Sequence, residues 1–364
     1  MRVWRRLTLG LVLVLCVALS AAVLAVGCGE ESKDDGAQNG NGGEQKKVTI
    51  VFTAAGGVLQ EAMTKAWIEP FMAAHPNIEV IQDEPNENAK IKAMVEAGNV
   101  TWDVVDNGND FGIGETESLC EEIDPKVVPM DELQPDLFKT TGHRVPCFVY
   151  ATVVGYRTDK FGDQKPTSFV DFFDLEKFPG KRGSLNWPAH GLIEMALIAD
   201  GVAPDQLYPL DLDRAFKKLD TIKDQMVWWT TGAQSEQLLA DGEVSMTTTF
   251  NGRVNNIKKA GAPAEIMWDQ FFMLADYFVI PKGTKHLKEA MELVAWCTSA
   301  EHSAELSKYI AYGPPNVNAV QKVGPTVEAN LPTAHAENAV PFDDIWWSEN
   351  LSTVYDRWQK WIRE

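Results

Sequence analysis

Two aspartates and a scatter of tryptophans are the residues of this chain whose types could do chemistry, and that chemistry is the capture of a cation. Asp110 lies just past the run WDVVD, and Asp276 lies just before the run YFVIP. Of the 12 tryptophans, Trp187, Trp228-Trp229, Trp268, Trp346-Trp347, Trp358 and Trp361 fall singly or in pairs, several at expected strand ends or loops. An ammonium group over an indole face gains roughly 0.5–2 kcal/mol. An amine taken out of water keeps its proton only if a carboxylate stands beside it. The plainer reading is that most tryptophans pack the core and both aspartates cap loops. In a Trp-Trp pair on a strand the two rings face opposite sides, so at most one of each pair meets a ligand.

Signatures of catalysis are absent from the sequence. There is no G-x-S-x-G, no H-E-x-x-H, no P-loop, and no G-x-G-x-x-G after a strand. The six histidines (75, 143, 190, 286, 302 and 335) contain no i,i+3 or i,i+4 pair to hold a metal. No catalytic residue, metal or cofactor is therefore expected.

The elements that must position the aspartates alternate between strand and helix. Residues 48–53 read as a strand ending at the Gly56-Gly57 turn, 58–74 as a helix stopped by His75-Pro76, 78–82 as a strand, 88–97 as a helix and 102–106 as a strand. This succession predicts a mainly parallel sheet with helices on both faces. Residues 144–156 are a long β-rich segment that leads into a second body with the same alternation. There, 182–187, 227–231, 243–250 and 277–281 are expected as extended segments. Helices are expected at 169–178, 192–200, 212–225, 233–240, 252–260 and 287–310, the last with a break near Ser299. The Trp-rich stretch 343–363 has the pattern of an amphipathic helix capping that body. Two α/β bodies of this kind hold a small ligand in the crevice at the carboxyl ends of their strands.

The chain opens with an address. Arg2, Arg5 and Arg6 precede an apolar run over 7–26 that ends at Gly27-Cys28, the layout of an export signal cut for lipid attachment to Cys28. Residues 1–27 are thus read as a lipoprotein signal peptide. Residues 28–46 are read as a flexible linker, because they offer too little apolar surface to fold. The body then stands outside the cytoplasm, in a periplasm or on the outer face of the cell membrane, tethered through its lipid. The formal net charge of −19 argues against a nucleic-acid partner. Outside the cytoplasm a disulfide is permitted, and Cys120 with Cys147 is the expected pair, while Cys297 reads as a buried free thiol.

Four segments carry a resemblance: WDVVDNGNDFG, FNGR, LADYFVIPKG and YGPPNVNAV. In order and spacing the chain, from about residue 47 to its end, resembles the bacterial ABC-transporter solute-binding proteins of the spermidine/putrescine-binding family. The resemblance implies a two-lobed periplasmic-binding-protein type II fold, each lobe a mixed, mostly parallel sheet flanked by helices. It assigns residues 47–148 with 279–312 to one lobe and 149–278 with 313–364 to the other. It also implies a monomer that captures a small organic amine, a polyamine such as putrescine or spermidine, by closing on a hinge and delivers it to an ABC permease. By the same resemblance Asp276 matches the acidic residue that holds an amine, and Phe250 stands where the family places a tryptophan. Tyr312 matches a tyrosine that closes the pocket, and Trp346 or Trp347 lies near a C-terminal contact. Asp110 falls where a loop of the first lobe usually offers serine or tyrosine.

There are departures from that pattern. The family's second acidic cluster is replaced by Trp187-Pro188-Ala189-His190-Gly191, which leaves one end of a long diamine without its usual carboxylates. Asp110 is one substitute. Alternatively Arg253, at the start of a helix, holds a ligand carboxylate through two parallel hydrogen bonds, which suits an ω-amino acid such as 4-aminobutyrate. The plain alternative for Arg253 is an ion pair with Glu243 or Asp241. A secreted hydrolase is the rival from another class, but it needs a nucleophile–base pair or a metal site and no candidate is present. A sensor without transport is the third, set aside because no cytoplasmic domain follows.

Overall fold

The structure is a computed structural model, and it describes residues 47–133 and 141–364. The expected signal peptide at 1–27, the linker at 28–46 and the lipid-bearing Cys28 lie outside the described residues. In chain order the main elements are β1 (Val48–Thr53), α1 (Gly57–Met63), α2 (Glu69–Ala74), β2 (Ile78–Asp83), α3 (Asn88–Glu96), β3 (Val104–Asn107), β4 (Val145–Arg157), α4 (Phe169–Phe173), β5 (Arg182–Leu185), α5 (Leu192–Ala199), α6 (Leu212–Asp220), β6 (Met226–Trp229), α7 (Gly232–Ala240), β7 (Met246–Phe250), α8 (Asn251–Lys259), β8 (Ala264–Val279), α9 (Leu287–Thr298), α10 (Pro325–Glu328), β9 (Ala339–Val340) and α11 (Asp344–Arg363). A single π turn, Thr64–Ile68, joins α1 to α2.

Among the described residues the strands form one mixed sheet in the order β2-β1-β3-β8-β4-β7-β5-β6, with β9 on β8. Its two ends are built alike. Parallel strands β2-β1-β3 make one end, and parallel strands β6-β5-β7 make the other. Between them run β4 and β8, antiparallel to each other and to their outer neighbours. Both are long for strands, at 13 and 16 residues. Every residue of β4 is buried, so both of its faces are covered and its sequence reads as a continuous apolar run rather than an alternation.

Helices cover both faces, as β–α alternation requires. Trp67, Phe71, Phe278 and Leu293 belong to the same core as Phe172, Phe216, Trp347 and Trp358. The C-terminal helix α11 does cap the second half. Its Trp347, Trp358 and Trp361 are buried, and each indole N–H finds a partner: Glu194 at 2.7 Å, Asn186 at 3.0 Å and Asp220 at 2.7 Å respectively. Buried tryptophans satisfy their one donor in this way. The expected break in the helix over 287–310 falls at Ser299, where the backbone turns extended and the hydroxyl accepts from His302 N.

Two expectations need correction. The Cys120–Cys147 disulfide does not form, since all three described cysteines are free and buried. Their thiols face different partners: Cys147 Sγ donates to Asp106 Oδ1 at 3.1 Å, and Cys120 Sγ to the Thr116 carbonyl at 3.6 Å. The strand expected over 277–281 is the end of a much longer one, β8. Its period-two pattern is interrupted where Thr152 pairs with Phe272 but Val154 pairs with Met267, a register shift that sets residues 268–271 opposite Val153 and leaves Phe271 paired with β9.

Helix α5 carries one charged residue inside an otherwise apolar sequence, LIEMALIA. Glu194 is wholly buried and accepts from the Tyr208 hydroxyl at 2.8 Å and from Trp347 Nε1 at 2.7 Å, both on Oε1. Its Oε2 has no partner. Burial pushes the carboxyl up to about 7 from its ordinary 4.5. The folded protein therefore holds a proton that the unfolded chain releases earlier, and stability falls as pH rises through the window from about 4.5 to 7. Glu194→Gln removes that loss. Thermal melts of both proteins from pH 5 to 8 are expected to diverge in favour of the variant, by about 2–3 kcal/mol at pH 8. Parallel curves would contradict the assignment.

Candidate functional site

Period-two placement on β4 puts Phe148 and Tyr150 on the same face, and β8 lies beside it with Asp276 directly opposite Phe148. The end of β7 adds Phe250, and the loop after α9 returns to β4 through a bridge between Val149 and Gly313, which brings in Tyr312. The rings pack on one another: Phe148 stacks on Tyr312 with centroids 5.0 Å apart, and Tyr150 meets Phe250 edge-on at 5.6 Å. Phe250 in turn meets Trp229 at 5.8 Å and His190 at 5.6 Å, both edge-on. These side chains line a cavity of about 690 Å³, which also takes in Gly57 and Val58 at the start of α1, Gly232 at the start of α7, and Arg253.

Asp276 is partly buried in this aromatic wall and opens on the cavity. Loss of water pushes its carboxyl well above the ordinary range, and the negative charge of Asp106 pushes it further; the Tyr150 hydroxyl acts in the opposite direction. A carboxyl so placed gains more than most from a cationic partner, since the partner supplies what lost solvent cannot. His190, also at the wall, is pushed down to about 4 by burial and is neutral at physiological pH.

Arg253 stands in the first turn of α8, with its Nη1 3.2 Å from Glu236 Oε1 on α7. Its Nε is buried and has no partner. The guanidinium lies flat on Gly232, where any Cβ would come within 2.7 Å of Nε. Glycine lets the guanidinium lie this close, and a Cβ there would push it aside. Beside Arg253 the N-cap Thr231 and the first residues of α7, Gly232 and Ala233, also line the cavity, and a helix start favours negative charge. Tyr312 lies between the two poles: the positive charge of Arg253 and the negative charge of Asp276 both act on its hydroxyl. One cavity thus has an acidic, aromatic pole and a basic pole, suited to a small solute of complementary charge.

A second cavity of about 500 Å³ adjoins the first and shares Asn86, Gly108, Leu185, His190 and Thr230 with it. Asp110 and Trp187 line this second space. Burial raises the Asp110 carboxyl, its own backbone N–H and Arg144 lower it, and Asp344 raises it. Among the described residues no group of three or more His, Cys, Asp or Glu side chains could hold a metal ion.

The structure brings together Asp276, Phe250, Arg253 and Tyr312, and sets Asp110 and Trp187 in the adjoining space. Trp347 is a correction. It is fully buried, its indole is engaged with Glu194, and it lines neither cavity, because α11 turns its apolar face to the core. The expected alternative partners of Arg253, Glu243 and Asp241, give way to Glu236. Sequence reasoning missed Phe148, Tyr150 and Glu236, and named Trp229 only as one of the paired tryptophans. The alternation of Phe148 and Tyr150 within the 144–156 segment was a usable signal, whereas Glu236 needed the packing of α7 on α8.

Comparison with known proteins gives a consistent result. A family model described as bacterial extracellular solute-binding protein matches residues 66–334. A curated gamma-aminobutyric acid-binding protein from Pseudomonas aeruginosa is 32% identical over 327 residues, covering 87% of this chain and 91% of that protein. A solved GABA receptor is 41% identical over 86% of this chain and 97% of that one, with a TM-score of 0.81. The spermidine/putrescine transporter substrate-binding protein of Streptococcus pneumoniae, solved as well, covers 87% of this chain and 100% of its own at 15% identity and a TM-score of 0.67, a likeness of fold alone. The expected two-lobed fold with mixed α/β sheets is therefore established, and the resemblance to polyamine binders is the more distant one.

Gly232→Ala tests whether Arg253 is held for contact with a bound molecule. The new methyl displaces the guanidinium and disturbs its pair with Glu236. Calorimetry is expected to show ligand affinity weakened about tenfold, roughly 1.4 kcal/mol, while the unliganded melting midpoint moves little. Unchanged affinity would mean that Arg253 does not touch the ligand.

Proposed function

This chain belongs to the bacterial extracellular solute-binding protein family, and from that premise we propose that it captures a small ω-amino acid, 4-aminobutyrate or a close analogue, for an ABC importer. The observation that carries the reading is the pairing of Asp276 and Arg253 in one cavity, with Tyr312 between them. The ligand ammonium lies against Asp276 and the faces of Phe148, Tyr150 and Phe250, where charge attraction and cation–π contact add. The ligand carboxylate meets Arg253 and the start of α7, where charge-assisted hydrogen bonds and the helix dipole act together. The 4-aminobutyrate-binding relatives named above support the same ligand class.

Capture works by closure. The lobes are 47–148 with 279–312 and 149–278 with 313–364, and β4 and β8 cross between them as the hinge. Gly57 and Val58 come from one lobe, and Trp229, Phe250 and Arg253 from the other. A ligand touching both sets favours the closed state by the difference in its contacts, and an ABC permease then receives the closed form. Cys28 carries the lipid that keeps the protein at the membrane, and the body works as a monomer without cofactor.

A polyamine reading has one specific observation in its favour: Asp110 and Trp187 in the adjoining cavity offer a second carboxylate and ring for a far ammonium. The two readings separate on Arg253, which repels a diamine and attracts an amino acid.

A thermal-shift series decides between them, because a ligand that binds only the folded state raises the melting midpoint. Addition of 4-aminobutyrate is expected to raise it, with putrescine weaker. Truncating one partner of a buried charge contact costs about 2–4 kcal/mol, so Arg253→Met is expected to weaken 4-aminobutyrate by roughly 30-fold or more and to spare putrescine. Asp276→Asn weakens both by a similar amount. A shift with putrescine alone, unaffected by Arg253→Met, would support the polyamine reading instead.

A further inference from the structure

Beneath the amine pole lies a carboxyl that does not line the cavity. Asp106, on β3, is fully buried. In the register of β3 with β8 it pairs with Phe278, two residues from Asp276, so the two aspartates share one face of the sheet as diagonal neighbours. Such neighbours sit about 7–8 Å apart at Cα and less at their side chains. Asp106 Oδ1 accepts from the Cys147 thiol at 3.1 Å, and Oδ2 is buried with no hydrogen-bond partner. Among the described residues no ion pair reaches Asp106; Arg144 pairs with Asp344, and Arg253 with Glu236. A thiol is a weak donor, so this carboxyl has little to hold a full charge. The structural core gains nothing from such a group, because an apolar side chain of similar size would avoid the cost of burying it.

We propose that Asp106 is a specificity-determining residue of the amine pole: it couples arrival of a ligand ammonium at Asp276 to loss of a proton from the floor of the cleft, and so selects amines that stay charged. This rests on the assignment of Asp276 as the amine-binding carboxylate. Two carboxyls this close, dry and without a cation cannot both ionise cheaply, and they titrate as a pair. Burial pushes Asp106 up to about 7, with Cys147 pulling it down, and burial together with the charge of Asp106 pushes Asp276 well above its ordinary range. The other groups facing the pair are Tyr150 of β4, Tyr277 of β8, Tyr312 of the loop after α9, Asp110 of the loop after β3, and Cys297 of α9, which acts on Cys147. None of them is cationic. The ammonium is the cation that the floor lacks: once it is bound, Asp276 is charged and one proton leaves the pair for solvent. Lowering the pH therefore weakens capture, because protons compete with the ligand for the same carboxyls. A weakly basic amine, itself neutral at working pH, brings no charge to displace that proton and is rejected.

Calorimetry on the wild-type protein and on Asp106→Asn, with 4-aminobutyrate and putrescine as probes, tests this at pH 5.5 to 8 in two buffers of different ionisation enthalpy. The wild type is expected to release close to one proton per ligand near pH 7, with affinity falling by up to tenfold per pH unit below that. Asp106→Asn is expected to bind within a few-fold of wild type at pH 8, to release less than half as many protons at pH 7, and to move the pH midpoint down. Cys147→Ser, a gentler change, gives Asp106 a stronger donor and is expected to move the midpoint down as well. A wild-type pH dependence retained in both variants overturns the proposal, as does binding of neither probe. Binding of putrescine alone, with the expected proton release, overturns the ω-amino acid reading and leaves this one standing.

Discussion

A carboxyl with no ion-pair partner among the described residues sets the terms for this molecule. Asp276 sits near the end of β8, partly buried among Tyr150, Phe148 and Tyr312, with the carboxyl of Asp106 below it. Burial of this kind costs free energy that an apolar residue would not incur. Protonation lowers that cost, and a positive charge entering the cavity offsets it with the carboxyl ionised. On the proposed reading, a ligand ammonium arriving at Asp276 supplies that charge, which is a physical basis for favouring a cation in a small space.

The fold serves that constraint by placing the residue where two halves of one sheet meet. Strands β4 and β8 are paired over most of their length and join the two parallel ends of the sheet, β8 through β3 and β4 through β7. Side chains projecting from their shared face are fixed by register, while the cavity walls come from loops and helix starts at either end. The acidic pole thus rests on rigid strands. The basic pole, Arg253, rests on a helix whose neighbour α7 supplies both Glu236 and the bare backbone of Gly232. Glu236 balances part of the arginine's charge and, with Gly232 against its Nε edge, holds the guanidinium at the cavity wall.

Much of this was legible in the sequence, and the remainder was hidden for identifiable reasons. The alternation over 48–106 shows directly in β-branched runs and helix stops, and β1, β2, α3 and β3 follow it within a few residues. Strand β8 was found only at its end. The bulge between Phe272 and Met267 breaks the period-two pattern, so the stretch AEIMWDQFFM does not look like a strand. Asp276 and Tyr312 could be singled out by their motifs, but Trp347 could not be distinguished from a cavity residue. Its neighbour Trp346 has the same flanks, and only the packing of α11 on α5 turns Trp347 toward Glu194. Asp106, inside the quoted run WDVVD, looked like an ordinary strand residue. Its setting became visible only when β3, β4 and β8 were laid side by side.

A crystal structure of the protein with bound 4-aminobutyrate tests the central claim most directly. The ligand nitrogen is expected within about 3 Å of an Asp276 carboxylate oxygen and over the ring faces of Phe148 or Tyr150, with the ligand carboxylate on Arg253. A ligand bound in the reverse direction, or lodged away from Asp276, would contradict the account.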